Sequence, residues 1–522
     1  MEPLTSVEQH ARLVKNLQAQ KPFPHPADDV QLLETHISSV LLAGDYAYKI
    51  KKPLDFGFLN FLKLEDREHF CEEEIRLNRR LAPQIYLEAV PITGSIEQPR
   101  IGGEGEAIEY AVKMRRFDQE QLLDKVLAAG KLDNDIIDSI ADIVAEFHAN
   151  AAVAGEETDL GSAESVYAPV AQNFEQIRPL LSDNTQLDQL DRLEAWSEAA
   201  YFKLKPLLQQ RKAGGFIRES HGDMHLGNIT LVDGKVVIFD GIEFNDEFRW
   251  IDVISEMAFL TMDLTDRGQP GMAQRLMNRY LENTGDYEGL QLLRFYQVYR
   301  ALVRAKIAGF RLAQELSEEE RKAVTAAYQS YSDLAESFTR ETNPFIVLMR
   351  GVSASGKSWL GQRLLEKTGA YRIRSDRERK RLFADQHSTT SELNQGLYSS
   401  ETTEKTYARL LELTQLITAA GYPVIVDATF LKQQQIAPFA TLATNAAIPL
   451  SVVTTSADNA VLEERLRQRA KEKDNISDAD RKVLDYQLQN IEPVPQGLSQ
   501  IDVDTGGSVD TDRIVQTITQ VK

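Results

Sequence analysis

Cysteine is almost missing from this chain. Cys71 is the single thiol among 522 residues, so no internal disulfide can form and packing alone must hold the fold. Long apolar runs are missing as well, since none approaches the roughly 18 residues that cross a bilayer. The start, MEPLTSVEQHARLVKNL, has no apolar core of the secretion-signal type. Together these absences lead to the expectation of a cytoplasmic chain with no membrane partner. Positive charge is in deficit too, with 59 Lys and Arg against 79 Asp and Glu and a formal net charge of −20. Such a surface repels a phosphate backbone, so a nucleic-acid partner is disfavoured unless a local basic patch overcomes that field. A small-molecule substrate, a cationic one included, suits the balance better. Internal repeats and low-complexity tracts are also absent, and nothing in the composition specifies an oligomeric state.

A length of 522 residues exceeds what one hydrophobic core usually serves and sets a prior of two to four domains of roughly 100–200 residues each. Alternating apolar residues over 29–51, with a turn at Gly44-Asp45, predict a β-hairpin, and KLEDREHFCEEEIRLNRRLA predicts the helix after it. Further strands over 87–117 break at Gly102-Gly103, and helical segments follow around 119–129, 133–152 and 185–210. Asp233-Gly234, between NITLV and KVVIF, suits a two-residue primed turn and marks a second hairpin. Helical periodicity runs again from Ile251 to about Phe338, and Thr342-Asn343-Pro344 interrupts it. A domain boundary is therefore expected near Glu341, giving domains of 1–340 and 341–522. Beyond it FIVLM, PVIVDAT and PLSVVTT alternate with helical segments, the pattern of a parallel α/β sheet. The polar tail after Gly497 is expected to be loosely held.

Flanking the second hairpin are HGDMHLGN, from His221 to Asn228, and IFDG, from Ile238 to Gly241. Phosphoryl transfer needs a carboxylate that orients the acceptor, oxygen ligands for the phosphate-bound metal, and a lysine on the phosphates. Asp223 suits the first role. Asn228, five residues on, and Asp240, across the hairpin, suit the second as magnesium ligands. Upstream, Lys49 lies on YAYKI, and Glu74 on the next helix is placed to pair with it. Lys51 shares the strand face of Lys49, because side chains alternate with period two, so the choice between the two lysines stays open. Glu74 also falls in a run of three glutamates, which an exposed helix face explains equally well.

On these residues the segment 30–335 resembles the aminoglycoside phosphotransferase and choline kinase group, relatives of the protein kinases whose catalytic loop reads H-G-D-x-H-x-x-N. The resemblance implies Asp223 as catalytic base, Asn228 and Asp240 as metal ligands, Lys49 on the phosphates and Glu74 as its partner. It further implies that His221 and His225 shape the loop and that Arg249 and Asp252 brace it. Two stretches depart from that pattern: THISS, at Thr35 to Ser39, replaces a glycine-rich phosphate-covering loop, and in FDGIEF a glycine directly follows Asp240.

A separate phosphate signature, GVSASGKS at Gly351 to Ser358, fits G-x-x-x-x-G-K-[ST] between the strand FIVLM and the helical WLGQRLLEK. In that context backbone N–H groups of Gly351, Ser353, Ala354, Ser355 and Gly356 wrap phosphates at a helix N-terminus. Lys357 neutralises the phosphates, and Ser358 binds magnesium. Asp427, ending PVIVD, is placed to join the magnesium shell or to cap a helix. Asp376, in IRSDRERKRL, lies at the carboxyl edge of the sheet and either orients an acceptor hydroxyl or caps the basic helix. Arg465 and Arg469 share a helix face, to meet the transferring phosphoryl group or to stand in solvent beside glutamates.

Residues 344–495 resemble the P-loop kinases related to polynucleotide kinase, zeta toxin and chloramphenicol phosphotransferase. There an aspartate like Asp376 activates the acceptor and a lid arginine like Arg465 or Arg469 meets the phosphates. The arginine that this group places after a strand like VDATFL is replaced by QQQIAP. As a whole the chain is similar to fused bacterial bifunctional aminoglycoside phosphotransferase/ATP-binding proteins, through KIKKPLDFGFLNF, FCEEEIRLNRRLAP and YPVIVDATFL. The expectation is an α+β protein-kinase-like domain followed by an α/β P-loop NTPase domain, both using ATP and Mg2+ to phosphorylate hydroxyls of small molecules. Two alternatives stand beside it: one catalytic domain regulated by an ATP-sensing domain, or a nucleic-acid end kinase whose binding strip is Arg372 to Arg381.

Overall fold

The computed structural model describes residues 5–57, 59–312, 316–384, 400–469 and 481–520. The chain packs as two compact units, Met1–Asp263 with Leu302–Tyr328, and Leu264–Ala301 with Gln329–Lys522. Among the described residues no helix is long and apolar enough to cross a membrane.

The first unit is α+β. Its antiparallel sheet has the order β1-β2-β3-β6-β4-β5, from β1 (Val30–Glu34), β2 (Ser38–Ala43), β3 (Tyr46–Lys51), β4 (Tyr86–Gly94), β5 (Pro99–Ile101) and β6 (Ala107–Arg115). The turn at Gly44-Asp45 joins Ala43 to its partner Tyr46. Gly44 is needed there, because its φ is 57° and a Cβ would come 2.7 Å from the Pro26 carbonyl oxygen. The helix Leu64–Asn78 lies on this sheet and buries Cys71, Glu74, Ile75 and Leu77. The glutamate run is thereby divided: Glu72 is exposed, and Glu74, one turn from Cys71 and Leu77, turns inward. A helix absent from the sequence reading, Val7–Gln20, begins with a capping box at Ser6 and Gln9 and buries Leu13, Val14 and Leu17.

Helices follow, and then the chemical segments. Strand β7 (Ile217–Glu219) precedes HGDMHLGN; β8 (Ile229–Val232) and β9 (Lys235–Ile238) form the hairpin, and β10 (Trp250–Asp252) pairs antiparallel with β7. Asp233 at φ 50° and Gly234 at φ 73° give the left-handed pair that a primed turn requires.

The second unit holds a parallel sheet of five strands in the order β12-β13-β11-β14-β15, made of β11 (Ile346–Arg350), β12 (Tyr371–Arg374), β13 (Val424–Asp427), β14 (Leu450–Ser456) and β15 (Ser499–Asp504). The polar tail is not loose. Residues 499–504 add the edge strand β15 beside β14, and the helix Thr511–Gln520 buries Ile514 and Ile518 against the sheet core. Short apolar periodicities, Ile501/Val503 for a strand and Ile514/Ile518 for a helix, outweigh the polar composition.

Residues 264–301, which a division at 341 assigns to the first half, pack with the P-loop unit. The helix Pro270–Thr284 hydrogen-bonds it at several points. Gln274 donates to the Ala370 carbonyl at 2.8 Å, and Asn278 Oδ1 accepts the Arg372 amide at 2.7 Å. Glu282 Oε1 takes two bonds from the buried Arg372 guanidinium, at 3.0 and 2.9 Å. Removing one partner of a buried ion pair strands the other charge. Glu282→Ala is therefore expected to destabilise the second unit by about 3–5 kcal/mol, seen as an earlier unfolding transition in urea; an unmoved transition sinks this account.

Candidate active sites

Strand β3 turns Lys49 and Lys51 to one face, and both reach Glu74. Lys49 Nζ lies 2.8 Å from Glu74 Oε1 and 2.6 Å from Asp240 Oδ1. Lys51 Nζ lies 2.6 Å from Glu74 Oε2, pairs with Glu243 on its other side, and stands 5.1 Å from the centre of the Phe61 ring. Exposure separates their environments. The side chains of Lys51 and Glu74 are 0% exposed, whereas the Asp240 side chain that Lys49 touches is 44% exposed. Lys51 is an internal ion and Lys49 stands at an open edge. Burial works against the charge on Lys49, but Asp240 and Glu74 outweigh it and hold the ammonium well above its ordinary range. Glu243 was not identified from the sequence; burial raises its carboxyl despite Lys51 beside it.

The loop after β7 is held by its backbone, which leaves its side chains for chemistry. Glu256 Oε1 accepts the amides of His221 and Gly222 at 2.8 and 2.7 Å, and its Oε2 meets His148 Nε2 at 2.8 Å. Asp263 accepts the Leu226 amide at 2.9 Å. Gly222 has φ 88°, and a Cβ there would come 2.7 Å from the Phe248 carbonyl oxygen, so the glycine of HGD is a steric requirement. His221 Nε2 meets the Phe239 carbonyl at 2.8 Å, and His225 Nδ1 accepts the Gly227 amide at 3.1 Å. Both histidines thus shape the loop.

Asp223 presents its carboxylate to Asn228 Nδ2 at 3.2 Å and to His225 Nε2 at 3.6 Å. Burial works against its charge, but His225 and His221 outweigh that effect and keep it well below the usual carboxylate range. The Phe239 amide donates to the Asn228 carbonyl at 2.9 Å, so Asn228 and Asp240 are brought to one end of the hairpin. Asp240 adopts φ 64°, rare for a residue with a Cβ. Tyr86 Oη accepts its amide at 3.1 Å, and Asn78 Oδ1 accepts that of Gly241 at 2.8 Å.

The bracing role that resemblance assigned to Arg249 and Asp252 is corrected in part. Asp252 takes the buried Arg211 guanidinium, at 2.7 and 2.9 Å. Arg249 touches the loop's approach through its carbonyl, which accepts the Ser220 amide at 2.8 Å, and through its guanidinium, 3.5 Å from Glu219; it also donates to the Glu243 carbonyl at 3.0 Å. Glu256 and Asp263 are the carboxylates that bond the loop itself. Their sequence signal is two acids seven residues apart in the largely apolar VISEMAFLTMD. The THISS segment forms the β1–β2 turn, where Ser39 Oγ is engaged by Glu34 at 3.0 Å and His10 at 2.9 Å.

In the second unit the chain leaves β11 into the phosphate motif, with Gly351 at φ 148°, Ala354 at φ 63° and Gly356 at φ 88°. Lys357 and Ser358 open the helix Lys357–Thr368, and Gly356 caps it. Lys357 Nζ donates to the Gly351 and Val352 carbonyls at 3.0 and 2.8 Å. Ser355 Oγ meets Thr455 Oγ1 at 2.7 Å, and Gln487, unnoticed in the sequence, accepts the Ser353 amide at 2.7 Å.

Arg465 donates to the carbonyls of Ala354 at 3.2 Å and Thr505 at 2.7 Å. In this structure it braces the loop and does not stand in solvent. Arg469 ends its helix, and its side chain lies outside the described residues, as do residues 470–480. Asp376 is not the helix cap; Arg374 holds that position in Ser375–Leu382. Arg374 Nη2 lies 3.1 Å from Asp376 Oδ2. Burial opposes the charge on Asp376, but Arg374 prevails and lowers its carboxyl below the usual range. Asp427 ends β13 beside Met349 of β11, and its buried Oδ2 has no hydrogen-bond partner among the described residues.

The family described as "Phosphotransferase enzyme family" matches residues 61–293, and that described as "AAA domain" matches residues 346–494. Uncharacterized proteins of Mycobacterium tuberculosis and Mycobacterium bovis are 31% identical over 493 residues, covering 93% of this chain and 94% of theirs. The chain belongs to their family, and in this chain a kinase-like phosphotransferase domain precedes a P-loop kinase domain. A choline/ethanolamine kinase family protein from Mesorhizobium loti aligns at 11% identity with a TM-score of 0.36, over 63% of this chain and 99% of that one. A gluconokinase from Sinorhizobium meliloti aligns at 23% identity with a TM-score of 0.23, over 34% of this chain and 91% of that one.

The different settings of the two lysines lead to opposite expectations for their variants. In a Lys357→Ala background, Lys49→Met should weaken ADP binding on the order of ten- to a hundredfold, the worth of about 1.5–3 kcal/mol for a charged hydrogen bond. Lys51→Met should instead lower stability by about 3–5 kcal/mol with a smaller change in affinity. Calorimetric titration and thermal unfolding of both variants check this, and reversed roles refute it.

Proposed function

We propose that the chain is an ATP- and magnesium-dependent phosphotransferase with two active sites, each moving the γ-phosphate of ATP to a hydroxyl of a small molecule. Phosphotransferase chemistry and nucleotide use follow from the two kinase-type domains. Magnesium, the alcohol acceptors and activity at both sites are the added reading.

The observation that carries it is the chain of contacts at the braced loop: Lys49 on Asp240, Asp223 on Asn228, and the Asn228 carbonyl on the amide of Phe239, the neighbour of Asp240. Asp223 is placed to accept the hydroxyl proton as the acceptor oxygen attacks phosphorus. Lys49, held by Glu74, meets phosphate oxygens. In the second unit the backbone of 351–356 and Lys357 cradle the phosphates, and Asp376 orients the acceptor.

The residues present fit magnesium. Among the described residues no group of three or more His, Cys, Asp or Glu side chains gathers as a metal cage, but this ion needs only one or two protein carboxylates beside phosphate and water. Asn228 and Asp240 would hold it in the first site. Ser358 and Asp427 would do so in the second, where the buried, unpartnered Asp427 Oδ2 gives it a reason to be there. Its chemistry is neutralisation of phosphate charge.

The nucleic-acid alternative loses support because three of the six cations of the basic strip are spent on carboxylates: Arg372 on Glu282, Arg374 on Asp376, and Arg381 on Glu378. The test is transfer of labelled γ-phosphate to a panel of metabolites and aminoglycosides. Asp223→Asn should keep ATP binding and lose on the order of 10²–10⁴-fold in transfer at the first site, and Lys357→Ala should lose nucleotide affinity at the second. Products that vanish separately establish two kinases. One variant silencing everything, with the other only changing the rate, leaves one kinase with an ATP-dependent regulator.

A further inference from the structure

The corner around Asp376 has an unbalanced charge. Its carboxylates are already engaged: Glu282 by Arg372 at 2.9 Å and Arg374 at 3.9 Å, Glu378 by Arg381 and by Arg409 at 3.7 Å, and Asp376 by Arg374 at 3.1 Å. Arg377, the next residue after Asp376 on the helix Ser375–Leu382, makes no hydrogen bond or ion pair among the described residues, and its Nε is buried without a partner. The Nε of Arg374 is buried and unpartnered as well. Burial lowers the Arg377 guanidinium below its ordinary range; Glu282, which already serves Arg372 and Arg374, and Asp376 work against that, while Arg374 and Arg279 add like charge. A half-buried guanidinium with no hydrogen bond or ion pair among the described residues carries a standing cost, retained where something outside the chain supplies the missing partner. In a chain of net charge −20, this local surplus runs against the general field.

We infer that the P-loop unit takes an anionic acceptor, a small alcohol bearing a carboxylate or phosphate group that Arg377 holds while its hydroxyl faces Asp376. This rests on the reading of the second site as a kinase. A guanidinium suits such a group because it offers planar paired donors to two oxygens at once. With the anion so fixed, the acceptor hydroxyl oxygen forms a bond to the γ-phosphorus. The bond from that phosphorus to the β,γ-bridging oxygen breaks, ADP leaves with the electron pair, and the hydroxyl proton passes to the Asp376 carboxylate.

The experiment uses the full chain carrying Asp223→Asn, so that transfer reports the second site, with paired acceptors: gluconate against glucitol, and glycerol 3-phosphate against glycerol, with ethanolamine as the cation. At least one anion should be phosphorylated in preference to its neutral partner, and the pair that responds tells carboxylate from phosphate. Arg377→Met should collapse that preference on the order of ten- to a hundredfold in kcat/KM, leave the Kd for ATP unchanged, and keep or raise Tm; Arg377→Lys should restore part of it. Preference for a neutral or cationic member, or an equal loss on both members of a pair, overturns the proposal. If no member is phosphorylated, calorimetric binding of gluconate and glycerol 3-phosphate in the presence of a non-hydrolysable ATP analogue decides: binding lost in Arg377→Met upholds the site, and no binding overturns it. Failure of the kinase reading looks different, as ATP affinity that Lys357→Ala does not alter.

Discussion

Glu74 accepts two ammonium groups at once, and much of the first unit's chemistry hangs on that node. A fully buried carboxylate is costly unless it is paired, and Lys49 and Lys51 satisfy one oxygen each. Each lysine then carries a second contact outward, Lys49 to Asp240 and Lys51 to Glu243. Sheet, helix and the segment after β9 are thereby joined through charges rather than through apolar packing alone. Lys51 and Glu243 anchor the far end of FDGIEF, and Asp240 keeps an exposed carboxylate at the near end. The strained φ of Asp240 is held from both sides, by Tyr86 on its own amide and by Asn78 on the amide of Gly241.

The two units solve the problem of placing phosphate chemistry in opposite ways. In the first, carboxylates of the helix Val253–Asp266 take up backbone amides of the HGD loop, and the side chains of Asp223 and Asn228 meet each other at 3.2 Å. In the second, side chains from elsewhere grip the phosphate motif, largely at its backbone: Arg465 on the Ala354 carbonyl, Gln487 on the Ser353 amide, and Thr455 on the Ser355 hydroxyl. Preorganised donors avoid reorganisation during reaction, and both devices serve that end.

Much of this was legible in the sequence. The Asp233-Gly234 turn, the alternation that puts both lysines on one strand face, the strand–loop–helix context of GVSASGKS and the acid at the end of PVIVD all follow from local rules, and the structure contains each of them. The braces were not legible. Glu256, Asp263 and His148 lie on helices whose apolar spacing reads as core, and nothing near them in the chain announces the loop they hold. The C-terminal strand and helix were hidden by polar composition, because an edge strand and a surface helix need only one apolar side.

The sequence by itself determined the kinds of element, the order of the two phosphate signatures and the side chains that carry charge to them. These depend on backbone preferences and on spacings of a few residues. Tertiary structure decided which lysine stays internal and which meets Asp240, that Glu256 rather than Asp252 bonds the loop, and that the helix Pro270–Thr284 serves the P-loop unit. It also left the buried Arg377 Nε without a hydrogen-bond partner among the described residues. Such outcomes are choices of partner for buried charges across long stretches of chain, 191 residues in the case of Lys49 and Asp240. The physical reason is desolvation: a charge removed from water must find its complement wherever the fold brings one, and no local pattern records where that is.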